Sequence, residues 1–149
     1  DWFEFTDLPQ LQSVKLGYDS FSDCHSFELN NLPSLQSIMI GDNCFGNVRV
    51  FELDGLGELE SVVVGRESFR IRGDEERNDG SCQIVNCPKL KSIQIGQYSF
   101  NDYHSFELNN LPSLQSIDIG NRCFRYAPSF SLTGLIDGLD AHVQKEGEF

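Results

Sequence analysis

Apolar residues alternate with polar ones in two short runs that recur along the whole chain. The first run has the form F-x-L, as at Phe27 and Leu29, and the second has the form I-x-I, as at Ile38 and Ile40. Alternation with period two in aromatic and β-branched residues indicates half-buried strands. The gaps between the runs are too short for a long helix. Each run therefore predicts a short strand that is stable only beside the same strand of a neighbouring repeat.

The runs belong to a tandem repeat, since the residues SFELNNLPSLQSI occur at 26–38 and again at 105–117. The residue before the P-x-L corner, or before its equivalents GEL at 57–59 and IDG at 136–138, recurs every 24 residues, with one gap of 31, at Leu8, Leu32, Leu56, Cys87, Leu111 and Leu135. All seven extra residues of the long gap lie within 70–81. This spacing predicts one solenoid over residues 1–134, with repeats starting near 8, 32, 56, 87 and 111 after a partial first coil at 1–7. Residues 135–149 are either a degenerate last repeat or a C-terminal tail.

The predicted fold class is mostly β, a solenoid of coils of about 24 residues with two short parallel strands in each coil and little helix. Phe45 is expected in the core, stacked between Phe21 and Phe69. A glycine follows the second run in each of five copies, at Gly17, Gly41, Gly65, Gly96 and Gly120. A glycine that recurs at one position indicates either a positive φ or a close approach of two backbones.

The repeat resembles a known family. The segment LQSIMIGDNCF is similar to the leucine-rich-repeat core L-x-x-L-x-L-x-x-N-x-L, with Phe45 in the last position. The recurring IG-x-x-[SC]-F and the FSDC at 21–24 resemble the BspA-like subclass of these repeats. The resemblance covers about residues 3–134. It implies a leucine-rich-repeat solenoid with a non-enzymatic binding surface, in an extracellular or cell-surface setting on microbes or protists.

The chain departs from that family at one position. The family's asparagine position holds five different residues here, namely Asp19, Asn43, Glu67, Tyr98 and Arg122. Only Asn43 can form the family's side-chain ladder, so we expect the corner that contains Asn31 and Asn110 to replace it.

The charge balance narrows the classes of partner. Lys and Arg number 11 against 23 Asp and Glu, which gives a net charge of −12. Such a chain repels phosphate backbones, so no nucleic-acid partner is expected. No run approaches about 18 consecutive apolar residues, so no membrane span is predicted.

The sequence contains no recognisable catalytic set, and neither enzymatic activity nor a cofactor is predicted. His25 and His104 occupy the same position three coils apart, roughly 14 Å by strand spacing, and cannot act together. The cysteines are interpreted as small core residues. Cys44 and Cys123 stand where other repeats have serine, and they are too far apart for a disulfide. Cys82 and Cys87 form the one local pair that a disulfide could close; five cysteines leave at least one without an intrachain partner.

Two acidic groups are candidates for a cation site, and the first of them is also a candidate site for a basic partner. The first is a ladder of outward carboxylates in the first strand, Glu4, Glu28 and Glu52, for which hydrated, splayed side chains are the alternative. The second alternates along the insertion like calcium-loop ligands, Asp74, Glu76 and Asn78. Asp79 stands where an EF-hand needs glycine, and a solvated loop is the alternative there.

The outward position of the second strand varies from coil to coil and is the predicted binding face, with Lys15, Met39, Val63, Gln94 and Asp118. Met39 and Val63 form an exposed apolar pair that can meet a partner. The face predicts recognition of a protein or glycan. The alternative is a structural subunit that stacks end to end into an extracellular rod or fibre. Because FEF at 3–5 leaves no room for a cap, we expect the N-terminal edge to continue into further residues or to dock on another copy.

Overall fold

The structure is a computed structural model, and it describes residues 1–71, 79–125, 127, 129–133 and 140–143, the last two ranges as backbone strands. The described residues form twelve strands and no helix. The first set alternates with the second along the chain and comprises β1 (Trp2–Thr6), β3 (Ser26–Asn30), β5 (Val50–Asp54), β7 (Gly80–Val85), β9 (Tyr103–Asn109) and β11 (Ser129–Thr133). The second set comprises β2 (Ser13–Leu16), β4 (Ser37–Ile40), β6 (Ser61–Val64), β8 (Ser92–Ile95), β10 (Ser116–Ile119) and β12 (Asp140–Val143).

All strand pairs are parallel and join equivalent positions of successive coils. The even strands form one continuous sheet in the order β2-β4-β6-β8-β10-β12. Ser37 pairs with Ser61, 24 residues on, and Ser61 pairs with Ser92 across the insertion. The predicted mostly β solenoid with a period near 24 residues is therefore confirmed. Within 135–149, β12 keeps the same spacing, since Asp140 pairs with Ser116.

The odd strands form two separate sheets, β1-β3 and β5-β7-β9-β11. Strand β3 does not pair with β5, although their sequences keep the 24-residue spacing. Residues 72–78 of the insertion lie outside the described residues, and β7 still pairs with β9 in register after a bulge at Gly80 and Ser81. The insertion therefore leaves the stacking order of the coils unchanged.

Phenylalanine rings form a continuous column through the core. Phe45 is fully buried and stacks between Phe21 and Phe69, with ring centroids 5.4 and 5.0 Å away. Phe100 extends the column, with its centroid 4.8 Å from Phe69 and 5.2 Å from Phe124. The predicted stacking of Phe45 is confirmed. The rings also meet a second column edge to face, since Phe27 lies 5.1 Å from Phe45.

Tyr103 fills a gap in that second column. Cys82 stands where neighbouring coils have Phe51 and Phe106, so this level of the core lacks a ring. The fully buried Tyr103 packs edge to face on Phe100 with centroids 4.9 Å apart. Its hydroxyl donates to the carbonyl oxygen of Val48 at 2.6 Å, which satisfies the one polar atom that the ring carries into the core.

The glycine column marks close backbone approach, which resolves the two alternatives left by the sequence. A Cβ on Gly96 would lie 2.6 Å from the carbonyl carbon of Gly65, and one on Gly41 would lie 2.7 Å from that of Gly17. Real Cβ atoms do not come that close to backbone, so only glycine allows these coils to stack. Gly17 has open space below it, because no described coil lies there.

Positive φ occurs at bulky residues instead. The column residues Phe21, Phe45, Phe69, Phe100 and Phe124 have φ between 52° and 57°. This conformation is rare for large side chains and costs on the order of 1–3 kcal/mol per residue. Burial and ring stacking hold these residues in place, since a buried Phe contributes about as much as this strain costs.

We expect Phe45→Ala to lower the free energy of unfolding by about 3–5 kcal/mol, because the ring is lost between two stacked neighbours. Urea unfolding followed by circular dichroism measures this loss. The matched variant Phe21→Ala, at the exposed end of the same column, should cost clearly less. Equal losses at the two positions would contradict a column that is closed at Phe45 and open at Phe21.

Gly96→Ala should destabilise the protein by about 1–3 kcal/mol, because the new Cβ overlaps the backbone of the preceding coil. Gly17→Ala adds the same methyl group in open space and should be neutral or slightly stabilising. Thermal unfolding of both variants checks this. A Gly96→Ala protein as stable as Gly17→Ala would show that the coils separate at no cost.

Candidate binding surfaces

The even sheet brings all five residues of the predicted binding face into one row. Its register pairs Lys15 with Met39, Met39 with Val63, Val63 with Gln94, and Gln94 with Asp118. Four of the five side chains are exposed, with Met39 at 44%, and Val63 is half-buried. We call these residues the variable row. They lie on adjacent strands at about 4.8 Å spacing, so one ligand can contact several of them.

Backbone hydrogen bonds just before the even strands join successive coils beside the variable row. The Gln36 N–H donates to the Gln12 carbonyl, and the Glu60 N–H donates to that of Gln36, both at 2.8 Å. The Lys91 and Gln115 amides continue this ladder at 2.9 and 2.8 Å. Because main-chain atoms form these bonds, the outward side chains are free to differ without loosening the stack.

A shallow depression lies at one end of the variable row. Its volume is about 360 Å³, and it is lined by Val63, Gln94 and Asp118 together with the serines Ser92 and Ser116. Its floor is the buried second-strand core. The depression combines an apolar wall with hydroxyl, amide and carboxylate groups, which suits a ligand that is part apolar and part hydrogen-bonding.

The outward ladder of the odd strands is only partly formed. Glu4 pairs with Glu28, while Glu52 lies across the unpaired boundary between β3 and β5. Thr6 donates to Glu4 at 3.0 Å, and Gln83 donates to Glu107 at 3.1 Å. Each of these two carboxylates therefore accepts a hydrogen bond from a neutral side chain. Among the described residues, no group of three or more His, Cys, Asp or Glu side chains is placed to hold a metal ion.

The remaining polar candidates are dispersed. Asp74, Glu76 and Asn78 lie outside the described residues. His25 and His104 are both exposed, on equivalent positions next to β3 and within β9. The structure therefore does not place the two histidines together.

Side chains link the corners that follow the odd strands. Asn31 donates to Asp7 at 2.6 Å, and Asn110 donates to Asn86 at 2.9 Å. Asn43 donates to Asp19 in the same way at another corner. Side-chain hydrogen bonds therefore join successive coils at the Asn31 and Asn110 corner.

Main-chain bonds explain why the position of Asn43 holds different residues in other coils. The amides of Asn43, Glu67 and Tyr98 donate to carbonyl oxygens of the next coil at 2.8, 3.0 and 2.8 Å. Each of these residues has a positive φ. The backbone forms this contact between coils whatever the side chain, so glutamate and tyrosine can occupy the position.

A column of hydroxyl and thiol groups, which sequence reasoning missed, joins successive coils. Ser68 and Ser99 donate to Gly41 and Gly65 carbonyl oxygens at 2.8 and 2.6 Å. Cys123 donates in the same way to Gly96 at 3.1 Å. Serine and cysteine replace one another at this position from coil to coil, and that exchange is the sequence signal from which the column could have been predicted. A thiol fits because it is a small hydrophobe that still donates a weak hydrogen bond.

All five cysteines are buried and free, including Cys82 and Cys87. Burial raises the pKa of the Cys123 thiol to about 12. Burial also raises the pKa of the Cys82 thiol well above its usual value, and that of the Cys44 thiol. Thiols that remain protonated at neutral pH are poor nucleophiles, so none of these three is suited to covalent catalysis.

No family model, curated protein or solved structure matches the chain. In the part of the chain that the structure describes, no helix has the length and apolar character needed to cross a membrane.

The raised pKa of Cys123 predicts a loss of stability at alkaline pH. Its folded pKa of about 12 lies above the ordinary value of 9.0, so its contribution is complete below pH 9 and is lost as pH rises toward 12. By pH 10.5 the wild type should lose about 2 kcal/mol more than Cys123→Ser, which keeps a donor to Gly96 but does not titrate. Urea unfolding of both proteins from pH 8 to 10.5 measures the difference. Parallel curves would contradict the buried, protonated thiol.

Proposed function

We propose that the chain is a leucine-rich-repeat-like scaffold, with two short parallel strands in each coil, whose variable row binds a protein or glycan ligand without catalysis. The observation that carries this proposal is the contrast between fixed and varied positions. Glycine, phenylalanine and aliphatic positions recur in every coil, while the variable row differs in each. Stacking requires the recurrence and leaves the outward row free to differ, and repeat scaffolds use such a row to recognise a ligand.

The chemistry of the variable row favours a ligand with an apolar centre and polar ends. Met39 and Val63 are adjacent and accessible, and Lys15 lies on one side of them. Gln94 and Asp118 lie on the other side, beside the 360 Å³ depression. Methionine adapts its shape to a partner, and an apolar centre with a polar rim is the usual anatomy of a recognition surface.

The extracellular or cell-surface location is part of the proposal and rests on the family resemblance. Burial raises the pKa of the Cys44, Cys82 and Cys123 thiols, which makes them poor nucleophiles and favours binding over covalent catalysis.

A second candidate function is a structural subunit that stacks end to end. It is favoured by the apolar face of the first coil, where Leu8 and Phe21 are 40% and 42% exposed. The same positions one coil further on, Leu32 and Phe45, are 1% and 0% exposed. Another solenoid end that covers this face would bury the open ends of the core columns and pair the free edges of β1 and β2.

Defined peptide and glycan arrays test the recognition proposal. Wild-type protein should bind a restricted set of spots, and the double variant Met39→Ser with Val63→Ser should lose that binding by about tenfold or more. Trp2→Ser is the matched control, because it removes an 81% exposed apolar side chain from an odd strand. If the control variant reduces binding as much as the double variant does, the variable row is not the binding surface. Rods seen by light scattering, which Leu8→Asp abolishes, would favour the structural alternative.

A further inference from the structure

The outer surface of the solenoid is open between β3 and β5. Strand β3 pairs with β1 and β5 pairs with β7, and no backbone pairing joins β3 to β5. The core beneath is continuous, because the rings of Phe27 and Phe51 stack 5.2 Å apart, the same separation as Phe3 and Phe27. The opening is therefore a groove in the surface layer and leaves the coil stack intact below it.

Like charges and a missing side chain coincide at this opening. Glu28 and Glu52 occupy equivalent outward positions in the two strands, with no neutral donor between them such as Gln83 provides for Glu107. Two carboxylates at the spacing of paired strands repel by about 0.9 kcal/mol even in water. The corner ladder of Asn and Asp side chains also stops here, because Gly55 occupies the position that holds Asn31 one coil earlier.

The groove is a defined site with acidic walls. Its volume is about 530 Å³, within the range of roughly 300–1,000 Å³ that is typical of ligand pockets. Glu28 and Asn30 line one wall, and Glu52 and Asp54 line the other. Ser26 also lines it, and the hydroxyl oxygen of this residue is buried without a hydrogen-bond partner among the described residues.

Two basic residues, His25 and Arg49, line the groove. His25 and Arg49 lie at the end where both strands begin. Arg49 is ion-paired with Asp79 of the following coil, and His25 is one residue before β3. Among the described residues, no basic side chain forms an ion pair with Glu28, Glu52 or Asp54, although Asp54 accepts a hydrogen bond from Asn86 at 2.9 Å. The two glutamates of the groove are therefore available to a cationic ligand.

We propose that this groove binds an extended basic peptide, with Lys or Arg side chains at alternate positions entering between Glu28 and Glu52 and between Asn30 and Asp54. Ammonium and guanidinium groups only donate hydrogen bonds, which matches carboxylates and the unpaired carbonyl oxygens of two strand edges. Alternate residues of an extended peptide are about 6.6 Å apart. Glu28 and Asn30 are also alternate residues of one strand, so their spacing matches that of the peptide side chains.

Two other occupants fit the groove less well. A metal ion needs several ligands converging on one point, and no such group exists among the described residues. A second copy of this chain carries a net charge of −12 and is repelled by acidic walls. The peptide proposal uses neither the variable row nor the exposed first coil, so it stands or falls separately from the proposed function.

Titration calorimetry with a blocked Ala-Arg-Ala-Arg-Ala peptide tests the proposal. Wild-type protein should bind it, and Glu52→Gln or Glu28→Gln should weaken binding by about tenfold or more. Asp23→Asn removes one exposed carboxylate elsewhere and should change the affinity by less than about twofold. A blocked Ala-Gln-Ala-Gln-Ala peptide should not bind, and Arg-Arg-Ala-Ala-Ala, of equal charge, should bind more weakly.

Amide hydrogen exchange locates the bound peptide, and circular dichroism confirms that each variant is folded. The amides of β3 and β5 should become protected on binding, while those of β8 and β10 should not change. Equal weakening by Asp23→Asn and Glu52→Gln would overturn the proposal in favour of attraction to net charge. Failure of the peptide to bind would also overturn it. So would displacement of the peptide by millimolar Ca²⁺ that protects the same amides from exchange.

Discussion

Close backbone contact between successive glycines is the constraint on which the rest of this solenoid depends. The Gly96 Cα lies so near the Gly65 carbonyl that no side chain fits between them. This contact fixes the separation and register of the coils, and the short strands on either side then pair residue for residue. Every inward position must match the one above and below it, which explains why the sequence repeats whole segments.

The same constraint divides the side chains into two groups. Inward positions form columns in which Phe45 and Phe69 stack face to face and serine or cysteine donates to the glycine carbonyl. The phenylalanines hold a backbone conformation that isolated residues avoid, because ring stacking and burial offset its cost. Outward positions meet no such demand, and differences between coils accumulate there.

Much of this architecture was predictable from sequence because it follows from spacing. The 24-residue period, the parallel register and the stacking of Phe45 all require only that equivalent positions lie above one another. The exchange of Ser68 for Cys44 also marked one structural position before its hydrogen bonds were known.

Other features depend on differences of a few kcal/mol between competing arrangements, which no pattern of letters records. The positive φ of Phe45 contradicts the residue's own preference and follows only from packing. The opening between β3 and β5 has the same 24-residue spacing as closed boundaries, and the paired strands β1 and β3 also carry facing glutamates, so neither spacing nor charge marks it in the sequence. The role of Tyr103 could not be read either, because its partner Val48 is 55 residues away.

The bond from Tyr103 to Val48 limits how freely the array can be rearranged. Most contacts join one coil to the next, so a coil could be removed or copied as a unit and the new neighbours would still match. Tyr103 instead bridges equivalent positions two coils apart, over a level whose core ring is replaced by Cys82. Deletion or insertion of one coil within these three levels would break this bond, so we expect single coils to be exchanged more freely in the rest of the array.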